Sequence, residues 1–270
     1  MSRRKKKKQM NETELLFTKV LKCSRNSLYL HDGVALDKEK QLFISSVFKR
    51  RIKGEPIQYI LGESEFMGLP FKVTPDVLIP RPETEILVET VLKYEPKRIL
   101  ELGTGSGCIA ISLARFIPAA TVVALDISQR TLDIAVENAG LNGVSDKIEF
   151  KLFDLLTDNS GLREVGLGNF DLIVSNPPYI RSSEIEGLAP EIQFEPRVAL
   201  DGGEDGLDFY RKIIKKAPLY LTKNGYLILE MGFGQSAGVR KILQNSLNFE
   251  IIDVLKDYNN IDRVIVAKNR

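Results

Sequence analysis

Read from its amino terminus, the chain changes its hydrophobic period twice. From Asn11 to about Gly54, Leu15, Leu16, Val20 and Leu21, then Leu36, Leu42, Phe43, Val47 and Phe48, recur near helical spacing with charges between them. This predicts a small helical domain over 11–54, with Asp37 as a helix cap and an apolar set too thin for a substantial core of its own. Residues 55–82 read differently, because frequent Gly and Pro separate short β-type pieces at 65–67 and 71–73 around a turn at Gly68-Leu69-Pro70. A β-hairpin linker is expected there. Helical spacing returns over 83–94, where Ile86, Leu87, Val91 and Leu92 share one stripe and Pro82 suits the first turn.

Beyond that point strand-like and helix-like segments alternate, the mark of a layered α/β domain over 83–270. Strands are predicted at 98–101, 121–125, 147–151, 170–174, 225–230, 250–254 and 263–267, with the clearest helices at 107–116, 129–138, 208–219 and 236–245. Only about eight residues separate the last two strands, too few for a parallel return, so they form an antiparallel hairpin. The expected sheet has seven strands, six parallel and one reversed at the edge.

One strand ends abnormally. Leu172, Ile173 and Val174 form a buried β run, but Asn176-Pro177-Pro178-Tyr179 cannot continue it, since two prolines supply no amide donors and hold the backbone extended or turned. The result is a rigid ledge at the strand's carboxyl end, where open α/β sheets place their ligands. An Asn amide, fixed carbonyls and an aromatic ring there suit a flat, polar, nitrogen-bearing group.

A second such end is Glu101-Leu102-Gly103-Thr104-Gly105-Ser106-Gly107, a strand entering a glycine turn and then a helix. The spacing is G-x-G-x-G; a dinucleotide fingerprint needs its last glycine where Cys108 stands, and no Gly-Lys-Ser/Thr follows for a phosphate loop. A nucleoside-like ligand fits better. Asp126 ends the next strand and can accept hydrogen bonds from both ribose hydroxyls. Asp154 follows the third strand and can receive adenine's exocyclic amine, with Phe153 or Leu155 against the base.

Charge and composition narrow the partners. The net charge of +2 is carried by Arg3, Arg4 and Lys5 to Lys8; without those six, 32 basic residues face 36 acidic ones. The body therefore offers no basic stripe for a nucleic-acid groove, and the basic residues 1–10 read as a disordered tail with no apolar segment after them to make a secretory signal. No apolar stretch is long enough to span a membrane. Cys23 and Cys108 are far apart, which fits a reducing, cytoplasmic compartment, and His31, the one histidine, excludes a metal site built on several.

Beyond the glycine turn and the ledge, the chain carries Gln58-Tyr59-Ile60-Leu61-Gly62, Phe66 with Gly68, Val77-Leu78-Ile79-Pro80-Arg81-Pro82-Glu83-Thr84-Glu85, Lys256-Asp257 and Asp262-Arg263-Val264. In these motifs it resembles the class I S-adenosylmethionine-dependent methyltransferases, and more narrowly the bacterial release factor glutamine methyltransferases. The resemblance implies a Rossmann-like seven-stranded sheet with an antiparallel last strand, preceded by a small helical substrate-binding domain. It implies S-adenosyl-L-methionine held by Gly103, Thr104, Gly105, Ser106, Gly107 and Asp126, with Asp154 or Leu155 beside adenine and Asn176 at the junction with the substrate. Asn176, Pro177, Pro178 and Tyr179 would meet the reacting glutamine of a release factor's Gly-Gly-Gln loop. Leu155 departs from the family, where an aromatic residue can occupy that place, and implies an aliphatic adenine wall.

The chemistry is consistent with those residues. Asn176 Oδ1 and the Pro177 carbonyl can each accept one N–H of an amide nitrogen that attacks in line, and Tyr179 can wall the flat group. Arg81, Glu83 and Glu85 can brace the ledge, meet the cofactor's charged tail or form a salt network at a helix start. The polar, Gly-rich segment 181–206 is long enough to serve a site. Competing readings are an adenine-N6 methyltransferase acting on DNA or RNA, a glutamine methyltransferase of a ribosomal protein, and a non-enzymatic nucleoside-binding scaffold. A monomer with no membrane partner and no stable nucleic-acid partner is expected.

Overall fold

The computed structural model describes residues 10–30, 35–154 and 168–270; the basic run, His31 and Leu155 lie outside them. The chain forms two compact units, Met1–Gly62 and Glu63–Arg270.

In the first unit, α1 (Glu12–Leu21) opens with a capping box in which Asn11 Oδ1 accepts from the Glu14 amide at 2.9 Å and Glu14 Oε2 accepts from the Asn11 amide at 2.8 Å. It is followed by α2 (Arg25–Leu28), α3 (Lys38–Arg51) and α4 (Ile57–Leu61). Asp37 caps α3 through the Lys40 amide at 2.8 Å. The core is small: Leu16, Val20 and Val47 pack with Ile57, Ile60 and Leu61 of α4. The Gly/Pro-rich composition around α4 masks it in the sequence, since a five-residue helix is shorter than one hydrophobic repeat needs to declare itself.

The second unit begins with a hairpin, β1 (Glu63–Phe66) and β2 (Leu69–Lys72). Its turn is Met67-Gly68, both at positive φ (53° and 76°), so it sits earlier than the Gly68-Leu69-Pro70 expected. A two-residue turn of this kind matches the strands' twist, and Pro70 is tolerated on a two-stranded edge. Next come α5 (Thr84–Val91), β3 (Arg98–Leu102), α6 (Cys108–Phe116), β4 (Thr121–Asp126), α7 (Gln129–Leu141), β5 (Ile148–Leu152), β6 (Phe170–Ser175), α8 (Asp208–Lys216), β7 (Leu221–Glu230), α9 (Ser236–Ser246), β8 (Phe249–Lys256) and β9 (Asp262–Asn269).

The seven-stranded sheet has the order β5-β4-β3-β6-β7-β9-β8. All pairs are parallel except β7 with β9 and β9 with β8. One strand of seven is thus reversed, as expected, but it lies inside the sheet and β8 forms the edge. The short β8–β9 connection dictates only that the two are antiparallel; β9 gains a second ladder by pairing β7 as well. Alternate residues along each strand feed two cores. Ile99, Val122, Leu172 and Ile228 pack toward α5 and α6, whereas Leu100, Val123, Ile173 and Leu227 pack toward α8 and α9. Between β3 and β6 the strand order reverses direction, which opens a crevice at their carboxyl ends.

Candidate active site

The ends that flank this crevice are stitched together. Leu102 of β3 pairs with Ser175 of β6, and the Ser175 hydroxyl donates to the Leu102 carbonyl at 2.7 Å. The glycine turn and the Asn-Pro-Pro-Tyr ledge therefore leave the sheet side by side. Ser175 also pairs with Leu229 of β7, which brings Glu230 to the same rim.

On the turn side, the Gly103 and Thr104 amides both donate to the Leu125 carbonyl at 2.9 Å. Gly103 and Gly105 adopt φ of 71° and 56°, and a Cβ on either would meet nothing within 4 Å. The turn faces open space with its backbone bare. Gly107 closes it against the helices, for a Cβ there would stand 2.9 Å from Ile111 Cδ1. The Ser106 carbonyl accepts from Asn138 Nδ2 at 2.9 Å.

Asp126 clamps this turn. Its Oδ2 accepts from the Gly105 amide at 3.0 Å and its Oδ1 from the Ser128 amide at 3.1 Å. Each oxygen keeps a second lone pair for an incoming hydroxyl. Burial raises its pKa while those amides pull it down. The Phe153 amide donates to the Asp126 carbonyl at 3.0 Å, which places half-buried Asp154 one residue further along the same edge. Beneath the turn, Glu101 is fully buried; its Oε2 accepts from the Thr104 hydroxyl at 2.7 Å, and Oε1 has no partner that meets hydrogen-bond geometry. Burial pushes this carboxyl up to about 8 against the pull of Thr104 and the Ala110 amide.

On the ledge side, Asn176 Nδ2 donates to Thr84 Oγ1 at 3.2 Å. Among the described residues no hydrogen bond engages Asn176 Oδ1 or the Pro177 carbonyl. Pro177 is buried and Pro178 half-buried. The backbone behind them is pinned: the Tyr179 carbonyl accepts from Gln235 Nε2 at 2.8 Å, the Ile180 amide donates to Leu200 at 2.9 Å, and Ile180 bridges Asp201. Close approach makes two glycines necessary, since a Cβ on Gly202 would lie 2.7 Å from Tyr179 Cα and one on Gly206 2.5 Å from the Tyr179 oxygen. Burial raises the Tyr179 phenol's pKa, and the nearby Glu230 charge adds to it.

The sequence therefore locates Gly103 to Gly107 with Asp126 and Asp154 on one side of the crevice, and Asn176 to Tyr179 on the other. It assigns no role to four further residues there. Thr84 holds Asn176. Glu195, buried in the 181–206 segment, pairs with Arg81 Nη2 and ties that segment to the loop before α5. Gln235 braces the ledge, and Glu230 stands behind it. The segment itself is not a plain loop but carries short 3-10 turns at Ile185–Gly187, Ile192–Phe194 and Arg197–Ala199. Glu85 looks the other way, its Oε1 accepting from the Met67 amide of the hairpin at 2.8 Å. One signal is available for Glu230: like Glu101 and Asp126, it is an acid that follows an apolar run, here Leu227-Ile228-Leu229, at the carboxyl end of its strand.

Known proteins share this architecture. A family model described as Methyltransferase small domain matches residues 82–193, and one described as PrmC N-terminal domain matches residues 4–62. A release factor glutamine methyltransferase of Geobacter sulfurreducens is 43% identical over 258 residues, covering 94% of this chain and 87% of that protein. One from Fusobacterium nucleatum is 42% identical over 265 residues, covering 95% of this chain and 72% of that protein. A methyltransferase from Pyrococcus furiosus, 18% identical, shares the fold with a TM-score of 0.56 over 86% of this chain and 98% of its own. The sheet order with its one reversed strand, the glycine turn and the ledge beside it define a class I methyltransferase. Within that class the chain belongs to the release factor glutamine methyltransferase family.

Proposed function

We propose that this chain transfers a methyl group from S-adenosyl-L-methionine to the side-chain amide nitrogen of the glutamine in the Gly-Gly-Gln motif of peptide-chain release factors, as a cytoplasmic monomer. The observation that carries the reading is the Asn176 amide, held by its nitrogen end on Thr84 so that Oδ1 stays available beside the equally available Pro177 carbonyl.

The cofactor half suits such a ligand. The bare backbone at Gly103 and Gly105 admits a close approach, Thr104 and Ser106 complete the turn up to Gly107, and Asp126 retains acceptor capacity for a ribose diol. Asp154, at the end of the next strand along, is the acid that would receive an adenine amine. When bound, the sulfonium supplies the electrophilic methyl. The chain's own contribution is orientation: Asn176 Oδ1 and the Pro177 carbonyl accept the two N–H bonds of the substrate amide and favour the nitrogen as it becomes more positive. Pro178 makes that carbonyl's direction rigid, and the Tyr179 ring walls the flat group. The helical residues 11–54, with segment 181–206, bind the rest of the release factor.

Incubation with S-adenosylmethionine and purified release factor, followed by peptide mass spectrometry, tests this. A gain of one methylene on the Gly-Gly-Gln glutamine is expected. Transfer to adenine in a parallel nucleic-acid reaction, with none to the release factor, would overturn it.

A further inference from the structure

After β7 the chain turns through Met231-Gly232-Phe233-Gly234-Gln235 into α9. This turn is held from several sides. The Met231 amide donates to the Arg263 carbonyl at 2.7 Å and the Met231 carbonyl accepts from Arg263 Nη1 at 3.0 Å, while Arg263 is itself paired with Asp257 at 3.0 Å. Gln235 closes the turn on itself: its amide donates to the Gly232 carbonyl at 3.2 Å, and its Oε1 accepts from the Gly232 amide at 3.0 Å. Through Nε2 the same side chain donates to the Tyr179 and Gly206 carbonyls at 2.8 and 3.1 Å. The turn and the ledge are therefore one rigid piece.

Their packing is equally close. A Cβ on Gly232 would lie 2.8 Å from Tyr179 Cδ2, so the backbone of the turn rests against the Tyr179 ring. Gly234 adopts φ of 76° with open space around it. Between these two glycines stands Phe233, 79% exposed, the most exposed large apolar side chain among the described residues of the second unit. A lone exposed apolar residue is ordinary on a protein surface. Phe233 differs on two counts: hydrogen bonds fix the backbone beneath it, and neither neighbour has a side chain to cover it.

Holding a phenyl ring in water forgoes about 1.5–3 kcal/mol of burial. A ring on a fixed backbone has few torsions left to order when a partner covers it, which is why rigid aromatics anchor protein recognition. We propose that Phe233 is a substrate contact whose ring packs on the glycine peptide groups preceding the reacting glutamine of the release factor. The inference rests on the release factor being the substrate, and adds how the residues around the glutamine are recognised. Tyr179 walls the glutamine amide, Gly232 rests on Tyr179, and the Phe233 Cα is about 3.8 Å further along the chain. Two extended residues span about 7 Å, so the motif glycines come within reach of the ring when the amide sits on the ledge. Glycines leave both faces of their peptide planes uncovered, admit a ring at contact distance and offer N–H groups to its π face. A Cβ at those positions would hold the ring away. Phe233 thus selects a glutamine preceded by glycine from among the other amides that Asn176 and Pro177 could hold equally well.

Steady-state methylation of purified release factor by wild type, Phe233→Ala and Phe233→Tyr tests this, together with calorimetric binding of release factor to each protein saturated with S-adenosylhomocysteine. Phe233→Ala should raise KM and Kd for release factor about 10-fold, the scale of losing one anchoring contact, with kcat unchanged. Phe233→Tyr should keep the wild-type values. S-adenosylmethionine affinity and the denaturant midpoint should be the same in all three proteins, because the ring is exposed in the free enzyme. Replacing the motif glycines of the release factor by alanine, one at a time, should weaken binding to wild type for at least one of them and have little further effect with Phe233→Ala, a coupling that a double-mutant cycle reads directly. Unchanged KM and Kd in Phe233→Ala would overturn the contact. So would additive effects at both glycines, or a KM rise accompanied by weaker cofactor binding or a lowered midpoint. If wild type neither binds nor methylates the release factor, the substrate assignment falls and the contact with it, a result distinct from any difference between the variants.

Discussion

The two sides of the crevice use the same residue types for opposite ends. At the turn, Gly103 and Gly105 face open space; around the ledge, Gly202 and Gly206 are there because backbone presses on them. Acids divide likewise: both oxygens of Asp126 already hold backbone amides, whereas one oxygen of Glu230 holds nothing. The turn is a surface kept bare for a ligand, and the ledge is a solid part kept from moving. A binding cradle tolerates small adjustment, but two acceptors that must meet one amide do not.

Asn176→Ala should break the ledge side outright. A loss of about 100- to 1,000-fold in single-turnover rate, the scale for removing one preorganised polar contact, is expected with cofactor affinity retained in a binding titration. Gly206→Ala should come next. Its Cβ would press on the Tyr179 oxygen, so a loss of about 1–3 kcal/mol in unfolding free energy, read from a lowered denaturant midpoint, is expected, together with slower turnover. On the turn side, Asp126→Asn places an NH₂ against one of two backbone amides and should cost about 1–2 kcal/mol, with weaker cofactor binding in calorimetry and little change in the rate at saturating cofactor. Gly103→Ala should be mildest, about 1 kcal/mol of backbone strain at φ of 71° with no clash, read as a small shift in the same denaturation midpoint. A Gly103→Ala protein that loses more stability than Gly206→Ala would dissolve the distinction between bare and pressed glycines.

The same contrast explains what the sequence could disclose. Strands β3, β4 and β6 are legible because each is a nearly continuous apolar run buried on both faces. The turn and the ledge are legible because Gly and Pro constrain the backbone locally. By contrast, the insertion of β9 between β7 and β8 depends on a partner more than thirty residues upstream, and nothing within the hairpin encodes it. The roles of Thr84, Glu195 and Gln235 escape notice because each acts through a residue distant in sequence. Thr84 touches Asn176 across 92 positions and Arg81 reaches Glu195 across 114. A residue type at one position carries no record of such a partner.

The bridge between Ile180 and Asp201 closes the base of everything between them. With both ends fastened at the ledge and Glu195 fastened to Arg81 partway along, the intervening stretch is a cassette: it can be exchanged or lengthened while its mount stays put. Doubling such a closed loop costs only about 0.6 kcal/mol in closure entropy. Variants of this scaffold that accept differently shaped protein surfaces can therefore be sought by swapping residues 182–194 alone, leaving the methyl-transfer apparatus untouched.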